Sequence, residues 1–284
     1  MTAPATVERP HREWDPLPRR RLARRVPGLF AIRAPISPVA RWALAVLSVA
    51  VPLAAWQVGS VLVDGRPDFL PSPAEAWAAG AEMARSGVLW TDAWATMARV
   101  LQGFGLAVLV SVPLGILMGS FRAAQSALEP VIGLLRYLPA SAFIPLLIIW
   151  LGLGEPSKIA LLFIGTIFFN TLMTADAVRQ VPIALIDVSY TLGARRGEVL
   201  RKVIVPGALP GMLDAIRVNA AAAWNFVVVA ELIASESGLG YRIVRAQRFN
   251  QIDRIFAVLV VIAVIGLAID LLLRLTRDRV GRWV

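Results

Sequence analysis

The chain has no cysteine and one histidine, His11, among its 284 residues. Without cysteine there is no disulfide, no thiol nucleophile and no thiolate-bound metal. A single histidine leaves no basis for a histidine-ligated metal or a Ser-His-Asp arrangement. The sequence therefore offers no catalytic constellation and no metal ligand set. Lysine is nearly absent too. Lys158 and Lys202 follow Ser157 and Arg201, whereas a phosphate-binding loop needs glycine directly before its lysine. The chain is expected to bind no ATP and no other cofactor.

What it has in abundance is apolar sequence. Hydrophobic residues make up 57% and mean hydropathy is +0.67. They come in blocks of roughly 20 residues, the length that crosses a bilayer as a helix. The expected fold class is all-α and integral to the membrane, with about six spans: 41–63, 100–120, 127–153, 157–178, 212–234 and 255–275. Between the first two, Pro67, Pro71 and Pro73 interrupt the chain. Short interfacial helices over 74–85 and 91–99 follow, with Trp77, Trp90 and Trp94 at headgroup depth. A tight turn is expected around Phe121–Ser126. No internal repeat or second soluble domain is evident.

The net charge of +10 sits beside these blocks. Nine arginines lie from Arg9 to Arg41, and Arg195, Arg196, Arg201 and Lys202 flank a later span. Such placement fits contact with anionic lipid and cytoplasmic orientation, not nucleic acid. With six crossings, both termini are expected in the cytoplasm. One loop runs against the bias: residues 236–254 carry four arginines yet fall on the outer side. Residues 1–40 read as a mostly disordered basic leader, with a short surface piece near 26–36.

Residues 182–206 form a basic segment between apolar runs. Pro182 suits a helix start. Gly193 suits a left-handed residue that ends one short helix and lets another begin. Val199, Leu200, Val203 and Ile204 recur at helical spacing, with Arg195, Arg196, Glu198, Arg201 and Lys202 opposite. The segment reads as an amphipathic elbow.

Asp187 lies six residues before Gly193, and Val203 and Pro206 close the segment. This pattern resembles the cytoplasmic "EAA" loop of ABC importer permeases, although Asp187-Val188-Ser189 stands where the family prefers Glu-Ala-Ala. Residues 139–145, 206–210 and 237–241 look like the branch that moves nitrate, sulfonates, taurine or bicarbonate. The resemblance covers about residues 40–278. It implies a permease domain over 41–278, a basic leader over 1–40 and a cytoplasmic tail over 279–284, in the inner membrane. It implies an elbow, Asp187, Tyr190, Leu192, Gly193, Ala194, Leu200, Val203 and Pro206, that docks on cytoplasmic ABC ATPase subunits, where ATP and Mg are held. It also implies a second copy of the permease and an extracytoplasmic substrate-binding protein. The alternative is a stand-alone secondary transporter or channel, which would show inverted repeats and paired intramembrane acids.

Polar residues inside spans are costly in lipid and mark function or helix pairing. Arg136, Tyr137, Asn170, Asn219 and Asn225 are candidates to line a pathway for a small anion, Arg136 above all. Arg217 and Glu231 are expected at opposite interfaces. Arg242, Arg245 and Arg248 are spaced three apart on the outer side and form a candidate ridge for the binding protein. Gly115-x-x-x-Gly119 permits close helix packing.

Overall fold

The computed structural model describes residues 36–63 and 69–281. The expected surface piece near 26–36 falls almost wholly outside them. Among the described residues the regular elements are all helical. They are α1 (Pro38–Leu62), α2 (Pro73–Arg85), α3 (Val88–Ser120), α4 (Arg122–Leu135), a 3-10 turn (Ala140–Phe143) and α5 (Ile144–Leu151). Then come α6 (Glu155–Arg179), α7 (Ile183–Thr191), α8 (Arg196–Val199), a π-helical turn (Leu200–Ile204), α9 (Val205–Ala234), α10 (Leu239–Arg248) and α11 (Ile252–Val280). Packing divides the chain inside α1: the described residues up to Leu53 form one unit and those from Ala54 a second. In the first, Trp42, Leu44, Leu47 and Val51 are exposed, as suits a helix surface in hydrocarbon.

The second unit is organised on α3 and α6, which run parallel. Gly103, Gly115 and Gly119 of α3 meet Leu162, Thr174 and Val178 of α6, and Ser111 accepts from Asn170, each partner lying 59 residues further on. On α3 the small residues Gly103, Ala107, Ser111, Gly115 and Gly119 recur every fourth position, which places them on one face. A Cβ added at Gly115 would sit 2.5 Å from the Thr174 Cβ and 2.7 Å from the Thr171 carbonyl oxygen. Backbone thus meets backbone. In a bilayer, where apolar burial drives little association, this close contact is what holds helices together.

Parallel α3 and α6 settle the path between them. The chain leaves α3 beside Val178 and enters α6 beside Arg99, so residues 121–154 must return across the whole thickness. Ile132 of α4 packs with Met118 and Ala175 at one end, and Leu147 of α5 lies by Leu161 and Lys158 at the other. Yet this crossing is not the straight helix expected over 127–153. It is two helices bent by 79°. Pro139, in extended conformation before the 3-10 turn, and Pro145 lack the N–H that would carry the helix through. With this broken span the unit and α1 supply six candidate crossings.

Three further boundaries differ from expectation. The interfacial helix over 91–99 and the span over 100–120 are one helix, because no glycine or proline separates them. The turn expected over 121–126 shrinks to Phe121, with α4 starting at Arg122. At the C-terminus α11 runs on to Val280, five residues beyond the expected span. The helix expected over 74–85 is present as α2. It starts with a capping box between Ser72 and Glu75 and Pro73 in the first turn.

α9 runs antiparallel to α6, with Phe226 against Gly165 and Ala177 against Gly211. α11 runs antiparallel to α9: Trp224 Nε1 donates to Ile262 O at 3.0 Å, and Arg217 forks onto Asp270 at 2.5 and 2.9 Å. α2 lies on α11 near Ala257. Trp56 stacks on Phe256 and donates to Pro71 O. The unit therefore has two ends. One carries α7 and α8; the other carries α2, α10 and the start of α6.

Gly115→Val should force α3 off α6 at a cost of about 1–3 kcal/mol. The melting temperature in detergent should fall accordingly. Gly105→Ala, where a Cβ meets nothing within 4 Å, should leave it unchanged.

Candidate coupling elbow and the ion cluster opposite

The elbow is built by local rules. α7 starts after Pro182 and ends at Thr191, with Leu192 as its C-cap. Gly193 then takes φ +83°, the Gly193 amide donates to Tyr190 O at 2.9 Å, and the Ala194 amide to Ser189 O at 3.0 Å. These are the two bonds of a Schellman cap, which satisfies the last helical carbonyls and reverses the chain. At the next helix start the Arg195 amide donates to Glu198 Oε2 at 3.0 Å. α8 then passes through the π-helical turn into α9 without a break, one helical run over Arg196–Ile233.

The elbow has an inner and an outer side. Val199 and Ile204 are buried with Val181, Ala208 and Met212, and Ala194, Leu200 and Val203 pack against them. Pro206 is half-buried. Ile183, Leu185, Val188, Tyr190 and Leu192 point outward, Leu192 at 82% exposure. Asp187, Arg195, Arg196, Arg201 and Lys202 are exposed around them. Of the elbow candidates, Tyr190 and Leu192 are thus free to meet a partner, Gly193 sets the bend, and Ala194, Leu200 and Val203 seat the elbow on the bundle. Contiguous exposed apolar side chains of this kind mark contact surfaces.

At the opposite end lies a cluster that spacing alone did not reveal. Arg99, 3% exposed, uses its whole guanidinium. Nε and Nη2 fork onto Glu155 at 2.6 and 2.8 Å, and Nη1 reaches Glu231 Oε1 at 2.6 Å. Its remaining donors take the Ser237 carbonyl and hydroxyl at 2.8 and 3.0 Å. Glu231 also accepts from Thr96 Oγ1 and from the Gly240 amide at 2.9 Å. Buried Lys158 pairs with Glu155 at 3.0 Å. Alongside, Asp92 accepts from the Gly238 amide at 2.9 Å and pairs with Arg242 at 2.6 Å. Three cations face three carboxylates, so the cluster is neutral. Such satisfaction is what makes buried charge tolerable.

The glycines of the 237–241 segment have a reason here. Gly238 sits at φ +115°, and a Cβ there would overlap the Glu231 carboxylate; one at Gly240 would lie 2.7 Å from Val228 O. Only bare backbone lets both amides reach the acids of α3 and α9.

The candidate pathway residues do not converge. Asn170 Nδ2 donates to Ser111 Oγ at 2.6 Å, and Asn219 Nδ2 approaches Asn170 Oδ1 at 3.4 Å. These two amides tie α3, α6 and α9 together. Asn225 is exposed, and its amide bonds to Ala221 O in its own helix. Arg136 and Tyr137 stand at the break between α4 and the 3-10 turn. The Arg136 guanidinium lies 4.9 Å above the Tyr137 ring, Nη2 donates to its hydroxyl at 3.1 Å, and buried Nε has no partner among the described residues.

The sequence matches the family described as the binding-protein-dependent transport system inner membrane component over residues 111–282. The chain is a member of this family of ABC importer permeases. The permease is 37% identical over 240 residues to a probable ABC transporter permease protein of Brucella melitensis, covering 84% of this chain and 96% of that one. It is 36% identical over 246 residues to the taurine transport system permease protein of Escherichia coli, covering 84% and 89%. In three dimensions it is similar to a chain of the MetNI methionine ABC transporter in an inward-facing conformation, with a TM-score of 0.61 and 21% identity over 69% of this chain and 98% of that one. That last likeness concerns the fold.

Arg99 and Asp92 of the permease lie in the stretch read from sequence as an interfacial helix over 91–99, and Glu155 lies between the spans expected over 127–153 and 157–178; their partners are 56 to 150 residues away. The ridge Arg242, Arg245 and Arg248 is also divided by the fold: Arg242 is committed to Asp92, whereas Arg245 and Arg248 are exposed. A signal was present in the apolar frame of Glu231, an acid nine positions before Gly240.

Arg99→Met should leave Glu231 buried without its cation and cost about 3–5 kcal/mol. Adding Glu231→Gln to that variant should restore part of the loss, readable as a negative coupling in a double-mutant cycle on thermal stability.

Proposed function

We propose that this permease imports a small anion or zwitterion of the alkanesulfonate, taurine, nitrate or bicarbonate class. ATP hydrolysis on separate ATPase subunits drives it through the elbow. The observation that carries the coupling is the Gly193 reversal, which holds Tyr190 and Leu192 outward while α8 continues into α9. A partner gripping the outer side moves α9 directly. The likeness to a taurine permease supports the substrate class. The permease itself holds no ATP; ATP and Mg belong to the ATPase subunits.

In this reading two copies of the permease meet around a shared pathway, since one bundle of this size encloses little room. The elbow end faces the cytoplasm, in keeping with its exposed Arg195, Arg196, Arg201 and Lys202. Six crossings then put both termini on that side. The α10 end meets the extracytoplasmic binding protein. Arg136, at the break in the third crossing, offers guanidinium donors to a passing anion, and Tyr137 and Asn225 present polar atoms on exposed faces. Asn170 and Asn219 act through helix pairing that shapes the pathway.

Gly193→Val places a β-branched residue in the left-handed region at a local cost of about 1–2 kcal/mol. Membrane insertion and monodispersity should be retained while transport-coupled ATP hydrolysis drops. Leu192→Asp should weaken ATPase-subunit binding about tenfold or more with no change in the permease's melting temperature. Full coupling in both variants, measured in proteoliposomes with the complete transporter, would remove the elbow from the mechanism.

A further inference from the structure

The α10 end carries a cavity of about 240 Å³ between the end of α9 and α10. Its polar lining comprises Glu231, already engaged by Arg99, Thr96 and the Gly240 amide, with Ser235, Tyr241 and two arginines. Arg245 and Arg248 project from one side of α10, and among the described residues neither takes part in an ion pair. The hydroxyl of Ser235, which also lines the cavity, is buried with no partner among the described residues. Ile233 and Val244 supply apolar walls. Phe249 forms the rim at 67% exposure. It is held there by a tight turn in which Asn250 takes φ +53° and the Gln251 amide returns to Ala246 O at 2.9 Å.

We propose that this cavity is a socket for an acidic side chain of the binding protein, a reading that rests on the import function above. Arginine forks match a carboxylate in charge and geometry, and the Ser235 hydroxyl adds a third donor. An arginine pair beside an exposed aromatic and apolar walls is the composition of an interface anchor. Arg242 is no part of the socket. Its pairing with Asp92 instead fixes the helix that bears the other two.

The test uses the complete transporter, permease with ATPase subunits, in nanodiscs of neutral phosphatidylcholine, with the binding protein titrated in. Arg245→Glu/Arg248→Glu should assemble with the ATPase subunits as wild type does. Binding-protein affinity should weaken about tenfold or more, with a shallower salt dependence. Arg245→Lys/Arg248→Lys should retain most of the affinity, and Phe249→Ser should lose part of it. Unchanged affinity in the reversed variant, beside a wild type that responds to the binding protein, overturns the socket alone. Normal affinity with lost uptake assigns the cavity to the solute and also overturns it. So does a defect seen only in discs containing phosphatidylglycerol, which assigns the cavity to a lipid headgroup. A wild-type complex that ignores the binding protein overturns the import reading first.

Discussion

The contact on which the rest of the molecule depends is the meeting of two parallel backbones, α3 and α6. Small residues every fourth position on α3 bring the helices so close that a methyl group at three of its glycines has no room. Two parallel helices joined in sequence cannot be connected by a short turn. The intervening chain has to travel back, and α4 and α5 are that return. Their bend follows from Pro139 and Pro145, and it sets half-buried Arg136 at the break. Ser111, Asn170 and Asn219 add a polar tie at the centre of the same seam. In hydrocarbon such amides have no water to fall back on, so they bond with one another.

The α10 end obeys a different constraint. Six ionised groups are drawn together at the junction of α3, α6, α9 and α10, and their charges cancel. Arg99 is the hub, since its planar fork serves Glu155 while the same guanidinium reaches Glu231 and the Ser237 backbone. Glu231 in turn receives a backbone amide from beyond the end of its own helix. The segment from Ser237 to Tyr241 is thereby pinned to the bundle by its main chain, and its glycines are the condition for that approach. α10 is consequently a fixed surface rather than a loose loop.

Much of this was legible in the sequence because it is local. Apolar blocks gave the helices, Gly193 between two short amphipathic pieces gave the elbow, and Gly115 with Gly119 gave part of the seam. What was not legible is long-range pairing. Arg99, Glu155 and Glu231 lie on three separate segments, and each looks like an ordinary border charge in its own surroundings. Arg242, Arg245 and Arg248 look equivalent by spacing, yet Asp92, 150 residues away, withdraws the first of them. The break in the third crossing was half visible, since Pro139 and Pro145 fall inside the span expected over 127–153, but a proline alone does not tell a kink from a sharp bend. Gly103 escaped notice because its contact is with Leu162 and the position four residues on is Ala107, not a second glycine.

The helical run from Arg196 to Ile233 covers 38 residues, about 57 Å at 1.5 Å per residue. That exceeds the thickness of a bilayer with its headgroups, roughly 40–45 Å. The basic elbow and the neutral ion cluster are thus the two tips of one shaft longer than the membrane is thick. A shaft of that length turns one degree of tilt at its foot into about 1 Å of sweep at its head. Glu231, two residues from that head, makes its bonds to Arg99 and Gly240 at 2.6 and 2.9 Å. The junction it belongs to therefore keeps its hydrogen bonds only while the shaft stands within a few degrees of its present angle.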